Sequence, residues 1–266
     1  MRPLSRTVDE GQGEIIHSPW SAMDELVEVR RGDSVLVQAA PMGNKSNLML
    51  NWLLQNKIPA IYGTFDTPVI DMTARSLAIL SGHTVNQVMN GLRSSVYDEL
   101  AESQYSLWFT DDAECLDPNR EGLTTLDELA VAYEEFLGEP PQVIVLDNLS
   151  DVAGAVERVA LQGALKAARD LGRRLNAAVF SLHHVRRADR DEKDPGAVPV
   201  RLNDGVEAGE RDATTVLGLW KPKMYNGSAL RVANLKSKRQ PADASGGLYK
   251  DFSLNQEHAW IGNEVS

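Results

Sequence analysis

Short apolar runs alternate with helical periodicity along most of this chain, and that alternation constrains its fold more than any other feature. Apolar β-type runs stand at 34–39, 58–64, 106–110, 143–146, 178–182 and 215–220. Several are continuous rather than alternating, the pattern of strands covered on both faces. Between them, apolar residues recur at helical spacing over 47–54, 69–80, 124–136 and 156–175. In the last stretch Leu161, Leu165, Ala168 and Leu175 share a face, with Lys166, Arg169 and Arg173 on others. Such an order predicts an α/β fold: a mostly parallel twisted sheet with helices on both faces. Beyond Trp220 the pattern changes. Residues 230–235 and 248–254 alternate like antiparallel strands around the polar turn QPADASGG, predicting a C-terminal β-hairpin at the sheet edge. Residues 1–14 read as a flexible arm and 15–266 as a single domain, a length that supports a sizeable core.

Charge and cysteine content narrow the function classes. The net charge is −11, so the chain does not coat nucleic acid non-specifically, and any such contact must come from local basic patches. A single cysteine, Cys115, excludes an internal disulfide. The polar start MRPLSRTVDEGQGE is unlike a signal peptide, and no apolar stretch approaches the ~18 residues of a membrane span. The expectation is a cytoplasmic protein without membrane contact.

Ligands of parallel α/β sheets sit at the carboxyl ends of the strands, which directs attention to those ends. The segment VLVQAAPMGNKSNLML, residues 35–50, runs from strand through turn to helix and has the layout of a phosphate-binding loop. Such a loop aims backbone N–H groups, a helix N-terminus and one lysine at phosphate oxygens, and the next hydroxyl ligates magnesium. Here the loop comprises Ala39, Ala40, Pro41, Met42, Gly43, Asn44, Lys45 and Ser46. Ala39 and Asn44 stand where the pattern has glycine. Ala39 occupies a position that mainly makes a tight turn. Asn44 places a side chain close to the β-phosphate, but asparagine is the non-glycine residue that best tolerates positive φ.

Three other strand ends carry chemistry. QVIVLDNLS ends an apolar strand in Asp147, a candidate magnesium ligand. AIYGTFDTP ends in Asp66, a carboxylate able to polarise an attacking water. AAVFSLHHVRR ends in His183-His184, of which His184 could sense a γ-phosphate and report to the following loop. Neither histidine has zinc-site spacing.

The order of these motifs resembles the RecA-like ATPase domain of replicative DnaB-type helicases and their phage relatives, over about Trp20 to Leu254. WSAMDELVEVRRGDSVLVQAAPMGNKS is similar to the family's approach to its phosphate loop, where Ala at the first loop position is common and Asn44 is a departure. YGTFDTPVIDMTARSLAILSG resembles the strand ending in a catalytic glutamate, with Asp66 one methylene shorter. VIVLDNL resembles the Walker B segment, and SLHHVRR places His184 at the γ-phosphate sensor. LNDGVEAGERDATTVLGLW resembles the segment before the family's next strand. ANLKSKRQ resembles the segment that reaches a neighbouring subunit's nucleotide, which implies in-trans roles for Lys236 and Lys238, with Arg239 able to compensate for the arginine that Lys238 replaces. The family's separate N-terminal domain is not part of the match.

The resemblance implies ATP with Mg²⁺ (or Mn²⁺), a homo-oligomer such as a hexamer, replication proteins as partners, and single-stranded or branched DNA at the strand-end loops. The loops are 151–158 and 186–207, the second carrying Arg186, Arg187, Arg190 and Arg201 as candidate DNA contacts amid several acids. The leading expectation is therefore a DNA-dependent, helicase-like ATP hydrolase of phage or plasmid-type replication or recombination. Two alternatives stay open. Asp66, Asp111, Asp112 and Asp147 lie near strand ends and could gather metal ions in a structure-specific DNA nuclease. Asn44 would also suit a nucleotide-binding loader or regulator that lacks turnover.

Overall fold

The computed structural model describes residues 13–116, 124–152, 158–185, 195–205 and 211–265. Nine strands form one sheet: β1 Ser34–Ala39, β2 Ala60–Thr64, β3 Leu107–Thr110, β4 Val143–Asp147, β5 Ala178–His184, β6 Thr215–Trp220, β7 Ala229–Ser237, β8 Tyr249–Asn255 and β9 Trp260–Glu264. Their order is β3-β2-β4-β5-β1-β6-β7-β8-β9. The first six in that order pair in parallel, and β7, β8 and β9 continue the sheet antiparallel. The continuous apolar runs became the central strands. Every residue of β1, β2, β4 and β6 is buried, because helices cover both faces.

The helices described are α1 Ser21–Leu26, α2 Lys45–Gln55, α3 Val69–Ser81, α4 Val85–Gly91, α5 Asp98–Glu102, α6 Thr125–Leu137, α7 Leu149–Val152 and α8 Arg158–Leu175. On one face, Val35, Val37, Tyr62 and Phe180 pack with Leu48, Met49, Trp52 and Leu53 of α2. On the other, Leu36 packs with Leu161 and Leu165 of α8, and Val179 and Ile144 with its Ala168 and Leu171. The alternation of side chains along each strand thus feeds two separate apolar layers. α6 begins with a Thr124–Asp127 capping box, and Asp127 is also paired with Arg174 of α8 at 2.9 Å.

The predicted C-terminal hairpin is present as β7 and β8, with β9 added beyond it. β4 and β5 run further than their apolar cores, taking in Asp147 and His184. Of the arm read over 1–14, residues 1–12 lie outside the described residues. Glu14 is held through its backbone: its carbonyl accepts from the Arg31 N–H at 2.9 Å, and Ile15 bridges Arg30. No helix among the described residues is long and apolar enough to cross a membrane.

Candidate nucleotide site

β1 lies between β5 and β6, so the loop that follows Ala39 leaves the sheet near its centre. The loop closes tightly. Gly43 N–H donates to the Ala40 carbonyl at 3.0 Å. A Cβ on Gly43 would stand 2.5 Å from the Ala39 methyl and 2.8 Å from the Ala40 oxygen. Ala39 is tolerated at the first loop position because residue 43 has no side chain to meet it. Met42 and Asn44 both adopt positive φ, at 61° and 62°. Asn44 is left-handed, with ψ 25°, and sits at the head of α2. Its Oδ1 accepts from Asn47 Nδ2 at 3.2 Å, so its amide is engaged along the helix.

Lys45 opens α2 and is buried, with Nζ 3.0 Å from His184 Nδ1. Burial pushes its pKa down to about 8, against the opposing fields of Asp147 and Asp66. Ser46 Oγ donates to Asp147 Oδ2 at 2.6 Å. Tyr62, from the middle of β2, donates its phenol hydrogen to the same oxygen at 2.8 Å. Burial raises the Asp147 pKa, while the two hydroxyls and Lys45 hold it down. Asp66 follows β2; its Oδ2 accepts from Asn148 Nδ2 at 3.2 Å and lies 3.9 Å from His184 Nε2. His184 therefore bridges Lys45 and Asp66. Burial first, and Lys45 second, lower its pKa, which keeps the ring neutral near pH 7. The adjacent His183 is buried too, with its pKa pushed down to about 4 and no hydrogen-bond partner for Nδ1 among the described residues.

Lys45, Ser46, Asp66, Asp147 and His184 line a cleft of about 420 Å³. Residues 42–46 of the loop, Asp66, Asp147 and His184 converge there, with Asn47 and Thr67 beside them. Arg75, Val85, Gln256 and Ala259 also line it, and no motif pointed to them. Arg75 reads as one polar position of an amphipathic helix, and Gln256 and Ala259 belong to the turn before β9.

Other expected residues stand apart. Asp111 and Asp112 are exposed after β3. Among the described residues, no group of three or more His, Cys, Asp or Glu side chains is placed to hold a metal ion, so the acidic cluster that the nuclease alternative needs is not formed. Lys236, Lys238 and Arg239 lie at the far end of the sheet. Ser237 pairs with Thr215, which pairs with Val35, the far end of β1 from Ala39. That separation is about 13 Å along the strand, so these residues do not serve their own loop. Lys236 Nζ donates to the Ala213 carbonyl at 2.9 Å, and Arg239 grips buried Asp33 in a two-pronged pair at 2.6 and 2.9 Å. Lys238 is exposed. Of the DNA-contact candidates, Arg201 is exposed, whereas Arg186, Arg187 and Arg190 lie outside the described residues.

No protein-family model matches the chain. In sequence it is 28% identical over 254 residues to the Gene 65 protein of Mycobacterium phage L5, covering 91% of this chain and 89% of that protein. The Gene 65 protein of Mycobacterium phage D29 is 26% identical over 224 residues, covering 81% and 92%. In structure, a solved ATPase domain superposes with a TM-score of 0.72 at 14% identity, over 98% of this chain and 95% of that one. The chain has a RecA-like ATPase fold. A DnaB-like replicative helicase, solved in a study that includes its interactions with primase, matches with a TM-score of 0.71 at 14% identity, over 98% of this chain and 68% of that one. The RecA-like fold explains why one cleft collects residues from β1, β2, β4 and β5: each parallel strand ends on the same side of the sheet.

Proposed function

We propose that this protein is a DNA-dependent, helicase-like ATP hydrolase of phage-type replication or recombination, working as a homo-oligomer. The observation that carries the reading is the convergence of Lys45, Ser46, Asp66, Asp147 and His184 in one cleft at the head of α2. The likeness to ATPase-domain and helicase folds and the phage relatives support it.

The donor set suits a hard cation, because Ser46 Oγ and the Asp147 carboxylate present oxygens within 2.6 Å of one another. Mg²⁺ held there with the nucleotide would neutralise phosphate charge. The residues divide the remaining work. Lys45 places its ammonium on the β- and γ-phosphates, exchanging His184 for a stronger, anionic partner. Backbone N–H groups at the start of α2 add their dipoles. Asp66 orients the attacking water and accepts its proton. His184, once released by Lys45, is free to donate to the γ-phosphate. Because Val185 follows it directly into the 186–207 segment, loss of that phosphate is felt where Arg201 stands. Lys236 and Lys238 complete a neighbour's site. The left-handed geometry of Asn44 supports a working loop over a degenerate one.

ATP hydrolysis by purified protein, with Mg²⁺ and with or without single-stranded DNA, tests this reading beside Lys45→Ala. The expected result is DNA-stimulated turnover that the variant lacks. Equal, negligible turnover in both proteins overturns it.

A further inference from the structure

We propose that Tyr62 is a positioning residue for the metal site: its hydroxyl fixes the Asp147 carboxylate in the orientation that Ser46 and a divalent cation share. The proposal rests on the reading that this cleft binds a nucleotide with a divalent ion.

Tyr62 sits at the centre of β2, fully buried, with its ring against Phe109 at 5.7 Å between centroids. In the sheet register Thr64 is opposite Asp147. Tyr62 is two residues earlier on β2, so it projects from the same face and lies diagonal to Asp147, a separation that a long aromatic side chain can span. Its hydroxyl reaches Asp147 Oδ2 at 2.8 Å, the oxygen that also accepts from Ser46 at 2.6 Å. Two donors on one oxygen, arriving from β2 and α2, leave the carboxylate little freedom to turn. A purely apolar wall would favour Phe here, which fills the same space without a buried hydroxyl to satisfy. Hydrogen-bonded outer partners of this kind orient metal ligands, and their loss typically lowers metal affinity about 10–100-fold.

The test is binding of a fluorescent ADP analogue to the full chain, titrated with Mg²⁺ or held in EDTA. Tyr62→Phe keeps the ring and its packing, so the fold is expected to persist, as checked by circular dichroism. The wild type should bind ADP more tightly with Mg²⁺. Tyr62→Phe should bind as the wild type does in EDTA, but need about tenfold more Mg²⁺ for half-saturation. In an Asp147→Asn background, the same substitution should leave Mg²⁺ dependence unchanged, because Tyr62 acts through that carboxylate. An unchanged Mg²⁺ requirement in Tyr62→Phe overturns the proposal alone. Equal loss of ADP binding with and without Mg²⁺ also overturns it, since that marks a general packing role. A wild type whose ADP binding ignores Mg²⁺ overturns the divalent-ion part of that reading and this proposal with it, and a wild type that binds ADP in neither condition overturns the nucleotide reading itself.

Discussion

At the scale of single residues, Asn44 and Lys45 decide whether the loop works. Asn44 tolerates its left-handed backbone better than most side chains do, so the position tests conformation separately from bulk. Asn44→Ala should destabilise the fold by about 1 kcal/mol and weaken nucleotide binding. Asn44→Gly should keep the conformation, remove the side chain from the head of the loop, and tighten binding severalfold; melting curves and ADP-analogue titrations read both. Lys45 gives a pH signature. Its pKa is depressed to about 8, and its charged form binds phosphate. Bound phosphate raises that pKa, so above about pH 8 binding must take up a proton. Affinity should then fall by up to ~10-fold per pH unit between pH 8 and 10, where an ordinary lysine would show no change below pH 10. A flat profile over that range contradicts the buried state of Lys45.

At the scale of elements, the turn between β8 and β9 is bolted to α2 by one buried amide. Asn51 Nδ2 donates to the Ala259 carbonyl at 2.8 Å, and its Oδ1 accepts from the Ile261 N–H at 3.1 Å. Asn51→Ala leaves both backbone groups buried without partners, so a loss of about 2–4 kcal/mol is expected, read as a lower melting temperature. Nucleotide affinity should fall with it, because Gln256 and Ala259 of that turn line the cleft. This turn also shows where sequence reading stops. The central strands were legible because burial on both faces demands unbroken apolar runs. Strand β9 was not, since only Ile261 and Gly262 of its five residues are buried. Helix α4 was missed for the same reason: Val88 is its one buried residue, too little to set a period. In the site, Lys45, Ser46, Asp66, Asp147 and His184 announced themselves as polar residues following apolar strands. Tyr62 did not, because a tyrosine inside a buried strand looks like ordinary core until a hydrogen bond gives it a second role.

At the scale of the whole molecule, the sheet has two chemically different ends. The phosphate loop, Asp66, Asp147 and His184 occupy one, and Lys236, Lys238 and Arg239 the other. A head-to-tail assembly would join the second end of one copy to the first end of the next. Lys45→Ala and Lys238→Ala, each inactive alone, should therefore regain hydrolysis when mixed in equal amounts. With random neighbours, about a quarter of the contacts would pair an intact loop with an intact partner lysine. No recovery on mixing argues against in-trans completion of the site. One further property belongs to the molecule as a whole. Its only thiol, Cys115, is buried, and that burial pushes the thiol pKa up to about 12. Maleimide dyes, which attack thiolates, should pass over the native protein. Met42, three-quarters exposed at the lip of the cleft, then offers a place for Met42→Cys and a single fluorophore. That derivative would report nucleotide arrival by emission, with no native cysteine to remove first.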